Sequence, residues 1–165
     1  MVGHGRFAPA FGPRVALVPV PGSVPLQRAD WVGRRLALCL KEVGLAADVW
    51  PVLRRRYAVR KSAFAAARER PTVLEHYDSF ALEGDFRLAA HKGVCDLRLT
   101  LIDDVITRGR TLLAAAGRLR DAFPGAEIRA FTVLRTLAPD EVLRRVLDPC
   151  EGEIRWISGD ARRRP

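Results

Sequence analysis

The chain has 165 residues, enough for one domain with one core, and its 48% hydrophobic and 28% charged residues exclude a disordered or low-complexity chain. Lys plus Arg number 28 against 19 for Asp plus Glu, a formal charge of +9, and 25 of those cations are Arg; the excess points to an anionic partner, although a GC-rich coding background gives the same bias. Cys39, Cys95 and Cys150 have no CxxC or Cys/His ligand spacing, which argues against a disulfide framework or a zinc site, and no apolar run approaches the roughly 18 residues of a membrane span.

Residues 1–13, with Gly3, Gly5, Pro9, Gly12 and Pro13, read as an irregular arm without a signal-peptide core, so a soluble cytoplasmic protein is expected. Arg14 to Val20 is a nearly continuous apolar run, the pattern of a strand buried on both faces, and Pro19-Val-Pro-Gly-Ser23 stops it. From Gln27 to Gly44 the positions Val32, Leu36, Cys39, Leu40 and Val43 predict a helix that Gly44 ends. Ala47 to Leu53 predicts a second strand. Residues 54–80 carry Arg54, Arg55, Arg56, Arg60, Lys61, Arg68 and Arg70 with no sustained period, which predicts a long, mobile excursion from the core. His76-Tyr-Asp-Ser79 within it reads as a turn or as support for a small hood.

Leu97 to Ile102 predicts a strand running into Asp103 and Asp104. Leu112, Ala116, Leu119 and Phe123 mark one face of a helix that Pro124-Gly125 ends, and Glu127 to Leu134 predicts another strand. Pro139 opens a helix through Val142, Leu143, Val146 and Leu147, Glu153 to Ile157 predicts a last edge strand, and residues 161–165 a frayed basic tail. Strands alternating with helices predict an α/β architecture around a mainly parallel sheet, in one domain over 1–165, with ligands at the carboxyl edge.

The chemistry concentrates in Leu99-Thr-Leu-Ile-Asp-Asp-Val-Ile-Thr-Arg-Gly-Arg-Thr111: an apolar strand, two adjacent carboxylates, a turn rich in hydroxyls and glycine, then a helix. Free amides at a helix start, with Thr hydroxyls beside them and Gly109 permitting close backbone approach, form a cradle for one phosphate monoester. Carboxylates one strand end away can accept hydrogen bonds from sugar hydroxyls. An acidic pair can also cap a helix, or form the pocket of a phospho-acceptor receiver, but a receiver carries its pair after the first strand. A Walker P-loop is excluded because no Gly-Lys-Ser/Thr occurs.

The segment Ile102 to Thr111 resembles the phosphoribosyl pyrophosphate (PRPP) signature of type I phosphoribosyltransferases, in which two acidic residues precede a Thr-x-Gly-x-Thr phosphate loop. The resemblance implies that Asp103 and Asp104 face the ribose hydroxyls and approach magnesium through those hydroxyls or water. It implies that Thr107, Arg108, Gly109, Arg110 and Thr111 hold the 5-phosphate. Val18-Pro-Val-Pro-Gly-Ser23 is similar to the family's pyrophosphate-loop region, ComF-like proteins in particular, which places Pro21, Gly22 and Ser23 at the pyrophosphate. Residues 54–80 correspond by order to the family's flexible loop. Arg60-Lys61-Ser62 and Arg68-Glu-Arg-Pro71 are its candidates to meet the leaving pyrophosphate, with Lys61 and Arg68 as the named catalytic contacts.

Three departures stand out. Gln27-Arg-Ala-Asp-Trp31 replaces the Arg-Gly-Phe-Asn-Gln stretch common in the ComF-like branch, and its cysteine-rich zinc segment has no counterpart in this sequence. Thr107 stands where 6-oxopurine transferases commonly place an Asp base, which disfavours hypoxanthine or guanine as acceptor. The resemblance implies a magnesium-dependent enzyme that transfers phosphoribosyl from PRPP to a small nitrogenous acceptor such as a nucleobase, and a homodimer. An alternative is a non-catalytic nucleotide- or nucleic-acid-binding regulator, or a DNA-uptake-associated protein, on the same fold. Its support is the Arg clusters at 34–35, 54–56, 144–145 and 162–164, whose nucleic-acid binding would weaken steeply with salt.

Overall fold

The computed structural model describes residues 7–25, 30–60, 70–84, 96–137 and 150–164. Lys61, Arg68, His4, His91, Cys95, Arg144, Arg145 and the helix expected from Pro139 to Leu147 lie outside the described residues. The protein is α/β. Four strands, β1 (Gly12–Pro19), β2 (Ala46–Val49), β5 (Arg98–Ile106) and β6 (Glu127–Arg135), form a fully parallel sheet in the order β2-β1-β5-β6. Helix α1 (Val32–Glu42) covers one face; α2 (Val73–Ser79) and α3 (Arg110–Ala122) cover the other.

The alternation of side chains along β1 accounts for its apolar run. Val15 and Leu17 join Ala37 of α1 in one core cluster, whereas Ala16, Val18 and Val20 join Leu112, Ala115 and Leu119 of α3 in the other. Strand β5 divides likewise, with Leu99 and Leu101 toward α3 and Ile102 toward α1. Of the predicted α3 face, Leu112, Leu119 and Phe123 are buried and Ala116 only partly. α1 starts at Val32, behind Trp31, with residues 26–29 outside the described set.

Four expectations are corrected. The arm is not irregular to residue 13: Ala8–Ala10 form a 3₁₀ turn, β1 begins at Gly12, and Phe7 and Phe11 pack edge-on against Phe131 of β6. The run 47–53 is not one strand. Trp50, Pro51 and Val52 separate β2 from β3 (Leu53–Arg55), which leaves the main sheet and pairs antiparallel with β4 (Phe80–Leu82). The segment 54–80 is therefore not one excursion, since β3, α2 and the start of β4 lie within it, and His76 to Ser79 are helical. Last, the C-terminus is not a frayed tail: β7 (Glu153–Ile157) and β8 (Asp160–Arg164) form a hairpin apart from the main sheet. Ser158 and Gly159 both have positive φ, 52° and 80°, as a two-residue turn between right-twisted strands requires.

Among the described residues no helix is long and apolar enough to cross a membrane. Chain order places β2 on one side of β1 and β5 on the other, so β1 and β5 flank a topological switch point, where the loops leaving the two strands diverge and open a crevice.

Candidate functional site

A cleft of about 370 Å³ opens at that switch point. Its lining joins Pro21, Gly22 and Ser23, which follow β1, to the continuous stretch Asp103–Leu112 and to Arg55, Arg60, Arg70 and His76. Every sequence-predicted site residue within the described part of the chain therefore faces one cavity. The carboxyl pair sits differently from the expectation: β5 continues to Ile106, so Asp103 and Asp104 belong to its last turn of pleat, and Val105 and Ile106 still pair with Leu134 and Arg135.

Each carboxylate accepts one backbone amide, Asp104 N–H to Asp103 Oδ1 at 3.0 Å and Val105 N–H to Asp104 Oδ1 at 2.8 Å. Burial pushes the Asp103 carboxyl up to about 7, and the neighbouring Asp104 carboxylate pushes the same way. A carboxyl so placed favours an incoming cation or hydroxyl donor, which would restore its charge.

The phosphate-loop candidate follows directly. Gly109 caps α3 with φ 85°, and the first helical bond runs from Leu113 N–H to Gly109 O at 2.9 Å, so the amides of Arg110, Thr111 and Leu112 have no intrahelical acceptor. A Cβ at Gly109 would lie 2.9 Å from the Ile154 side chain of β7. Gly109→Ala therefore combines a left-handed backbone strain of about 1–2 kcal/mol with displacement of the hairpin. The expected result is a thermal midpoint lowered by several degrees together with weaker phosphate binding, measured by thermal unfolding with and without ribose 5-phosphate.

Arg108 and Arg110 have different roles. Arg110 forks onto Asp160 of β8, Nε to Oδ1 at 2.5 Å and Nη2 to Oδ2 at 2.6 Å, and its Nη1 donates to the carbonyls of Arg70 and Pro71. The Arg110 guanidinium holds the Asp160 carboxyl below its ordinary value. At position 110 the loop thus offers a backbone amide, while the guanidinium ties the hairpin to the cleft rim. Arg108 is more exposed, 3.5 Å from Asp160, and lines the cleft.

Behind the cleft lies a cluster that the charge runs concealed. Arg55, 5% exposed, donates from Nε to Gly22 O at 2.9 Å and from Nη1 to His76 O at 3.2 Å and to Ser79 Oγ; its Nη2 lies 3.0 Å from His76 Nδ1. Its guanidinium stacks on the Phe80 ring, 3.8 Å from the centroid. Burial lowers Arg55 to about 10, still charged at neutral pH, and burial with the adjacent guanidinium lowers His76 to about 4, so that it is neutral. Val59 N–H donates to Ser23 O at 2.7 Å, and the loop 21–23 is thereby held at two carbonyls.

The helix bearing His76 is fastened in turn. Thr72 and Glu75 form a capping box, Arg118 of α3 stacks on Tyr77 and donates to its carbonyl at 2.8 Å, and the Tyr77 hydroxyl donates to Asp121.

The low value for His76 makes a pH prediction. The unfolded chain takes up a proton near 6.5 and the folded chain only near 4, so this residue's contribution to stability falls as pH drops through that window. Asp103 shifts the opposite way and masks the slope in the wild type. Against a His76→Asn variant, the wild type is expected to lose on the order of 2–3 kcal/mol of relative stability between pH 7 and 4.5, read from urea midpoints. A constant difference across that range would show that His76 is not neutral in the fold.

Sequence reasoning gave Arg55 and Asp160 no place in the site, and read His76 only as part of a turn or as support for a hood. The Thr72-Val-Leu-Glu75 capping box and the Ser158-Gly159 turn were signals available for two of these neighbourhoods. Arg60 and Arg70, next to the named Lys61 and Arg68, line the cleft wall together with Arg55. Comparison of the sequence with protein-family models finds no match, and neither does comparison with curated proteins.

Proposed function

We propose that this chain is a phosphoribosyltransferase with a type I phosphoribosyltransferase fold, which transfers the phosphoribosyl group of PRPP to a small nitrogenous acceptor and releases pyrophosphate. One observation carries this reading: the paired carboxylates, the α3 phosphate cradle and the Pro21–Ser23 loop open into one cleft at a sheet switch point, with Arg60, Arg70 and Arg108 on its walls. A phosphate at one end, vicinal hydroxyls in the middle and a second polyanion at the other end match that sequence of groups.

The 5-phosphate would take the amides of residues 110–112 and the hydroxyls of Thr107 and Thr111. Asp103 and Asp104 would accept the ribose hydroxyls and face the positive charge that builds on the sugar as its bond to pyrophosphate breaks. Arg60 and Arg70, with Lys61 and Arg68 as further candidates, would take the charge that builds on the leaving group. Among the described residues no three His, Cys, Asp or Glu side chains gather into a metal site. A magnesium ion would be held by substrate oxygens and water, with Asp103 and Asp104 beside it, and would supply charge neutralisation for the pyrophosphate.

The test is a panel of nucleobases and other amines incubated with magnesium and PRPP and followed for pyrophosphate release. Release that depends on one acceptor supports the reading. Silence across the panel, from protein that binds PRPP, would favour the regulatory alternative.

A further inference from the structure

We infer that His76 is a positioning residue that fixes the Thr111 hydroxyl as a hydrogen-bond donor to the phosphate; the inference rests on the phosphate-cradle reading above. A threonine hydroxyl can face an anion with its hydrogen or with its lone pairs, and only the first is attractive. What decides between them is the hydroxyl's other partner.

That partner is His76. Thr111 Oγ1 lies 3.4 Å from His76 Nε2, at the long end of hydrogen-bonding range, and Thr111 also lines the cleft. On the other side of the ring, Nδ1 lies 3.0 Å from Arg55 Nη2. A guanidinium has donors only, so Nδ1 must be the bare, accepting nitrogen, and a neutral ring then carries its hydrogen on Nε2. Nε2–H donates to Thr111 Oγ1, and the threonine's own hydrogen is left to point into the cleft. The opposite tautomer would take the Thr111 proton and turn oxygen lone pairs toward the phosphate.

The chain of contacts is held rigidly enough to act this way. Arg55 is anchored to Gly22, Ser79 and Phe80, His76 is 3% exposed, and α2 is bolted to α3 through Tyr77, Arg118 and Asp121. The same guanidinium holds the Gly22 carbonyl, so one buried cation sets both the Pro21–Ser23 loop and the polarity of the phosphate cradle.

Two conservative variants separate this role from simple packing. In His76→Asn the amide oxygen can replace Nδ1 as acceptor for Arg55, but nothing reaches Thr111. In His76→Gln the amide nitrogen can replace Nε2–H, while the Arg55 contact is lost. The probe is ribose 5-phosphate, titrated against the folded variants by calorimetry, with thermal unfolding alongside. Expected are binding weakened on the order of tenfold in His76→Asn, recovery to within about threefold of wild type in His76→Gln, and a His76→Asn/Thr111→Val double variant no weaker than Thr111→Val alone.

Nitrogen-15 spectra of the wild-type protein should show Nε2 protonated and Nδ1 bare, a readout that holds even if a variant misfolds. Wild-type affinity in His76→Asn, additive losses in the double variant, or a protonated Nδ1 would each overturn the inference. Wild-type protein that fails to bind ribose 5-phosphate would instead sink the phosphate-cradle reading itself, and this inference with it.

Discussion

Replacing Asp103 and Asp104 together by Asn is expected to weaken binding of magnesium-PRPP at least 100-fold while leaving the fold as stable as wild type or more so. The two parts of that expectation come from the same geometry. Asn retains the Oδ1 that each Asp presents to the next backbone amide, so the end of β5 keeps its local hydrogen bonds. What disappears is a pair of adjacent carboxylates, one of them held near 7 by burial and by its neighbour. Such an arrangement is unfavourable for the folded state, and on the proposed reading a ligand that brings its own hydroxyls and cation offsets it. Calorimetry with magnesium-PRPP and thermal unfolding of the same preparation check both halves. Undiminished binding would move the sugar site elsewhere, and a large loss of stability would make the pair structural.

Arg55→Met is expected to be strongly destabilising, on the order of 3–5 kcal/mol from several buried acceptors left unsatisfied at once, a large part of a typical domain's total. Methionine fills the space over Phe80 but removes every donor, which leaves Gly22 O, the Ser79 hydroxyl and His76 Nδ1 without their buried partner. Lysine is no substitute, because a single ammonium cannot reach acceptors on three sides in the plane of a guanidinium. Urea unfolding measures the loss. A change under about 1 kcal/mol would mean that water replaces the guanidinium, and that Arg55 does not hold the cleft together.

The contrast between these two regions explains what could be read from the sequence. The Asp103–Thr111 segment was legible because strand, turn and helix start are contiguous, so their chemistry is brought together by local geometry alone. Strand β1 was legible because from Val15 onward both of its faces are buried and its residues are therefore apolar. Arg54, Arg55 and Arg56 read as the start of one cation-rich excursion, yet β3 turns alternate side chains to opposite sides. Arg54 faces outward and pairs with Glu83, whereas Arg55 turns into the core. Its partners come from two other places in the chain, Gly22 from the loop after β1 and His76 and Ser79 from α2, and no local pattern announces such a meeting. The C-terminal hairpin was missed for a related reason. Arg162, Arg163 and Arg164 suggested a tail, but pairing with β7 seats Ala161 in the core and carries Asp160 to Arg110. Strand β5 was cut short at Ile102 because carboxylates read as a strand end, whereas its pairing with β6 continues to Ile106.

The opening excess of cations divides accordingly. Arg55 is structural, Arg110 ties the hairpin to the cleft rim, and Arg60, Arg70 and Arg108 line the cleft wall.

The most direct test of the account is a crystal structure of the protein soaked with magnesium and PRPP. The account predicts the 5-phosphate on the amides of Arg110, Thr111 and Leu112, the ribose hydroxyls on Asp103 and Asp104, and the pyrophosphate toward Pro21–Ser23, Arg60 and Arg70. PRPP bound anywhere else, or bound in the cleft with its 5-phosphate away from the start of α3, would contradict it.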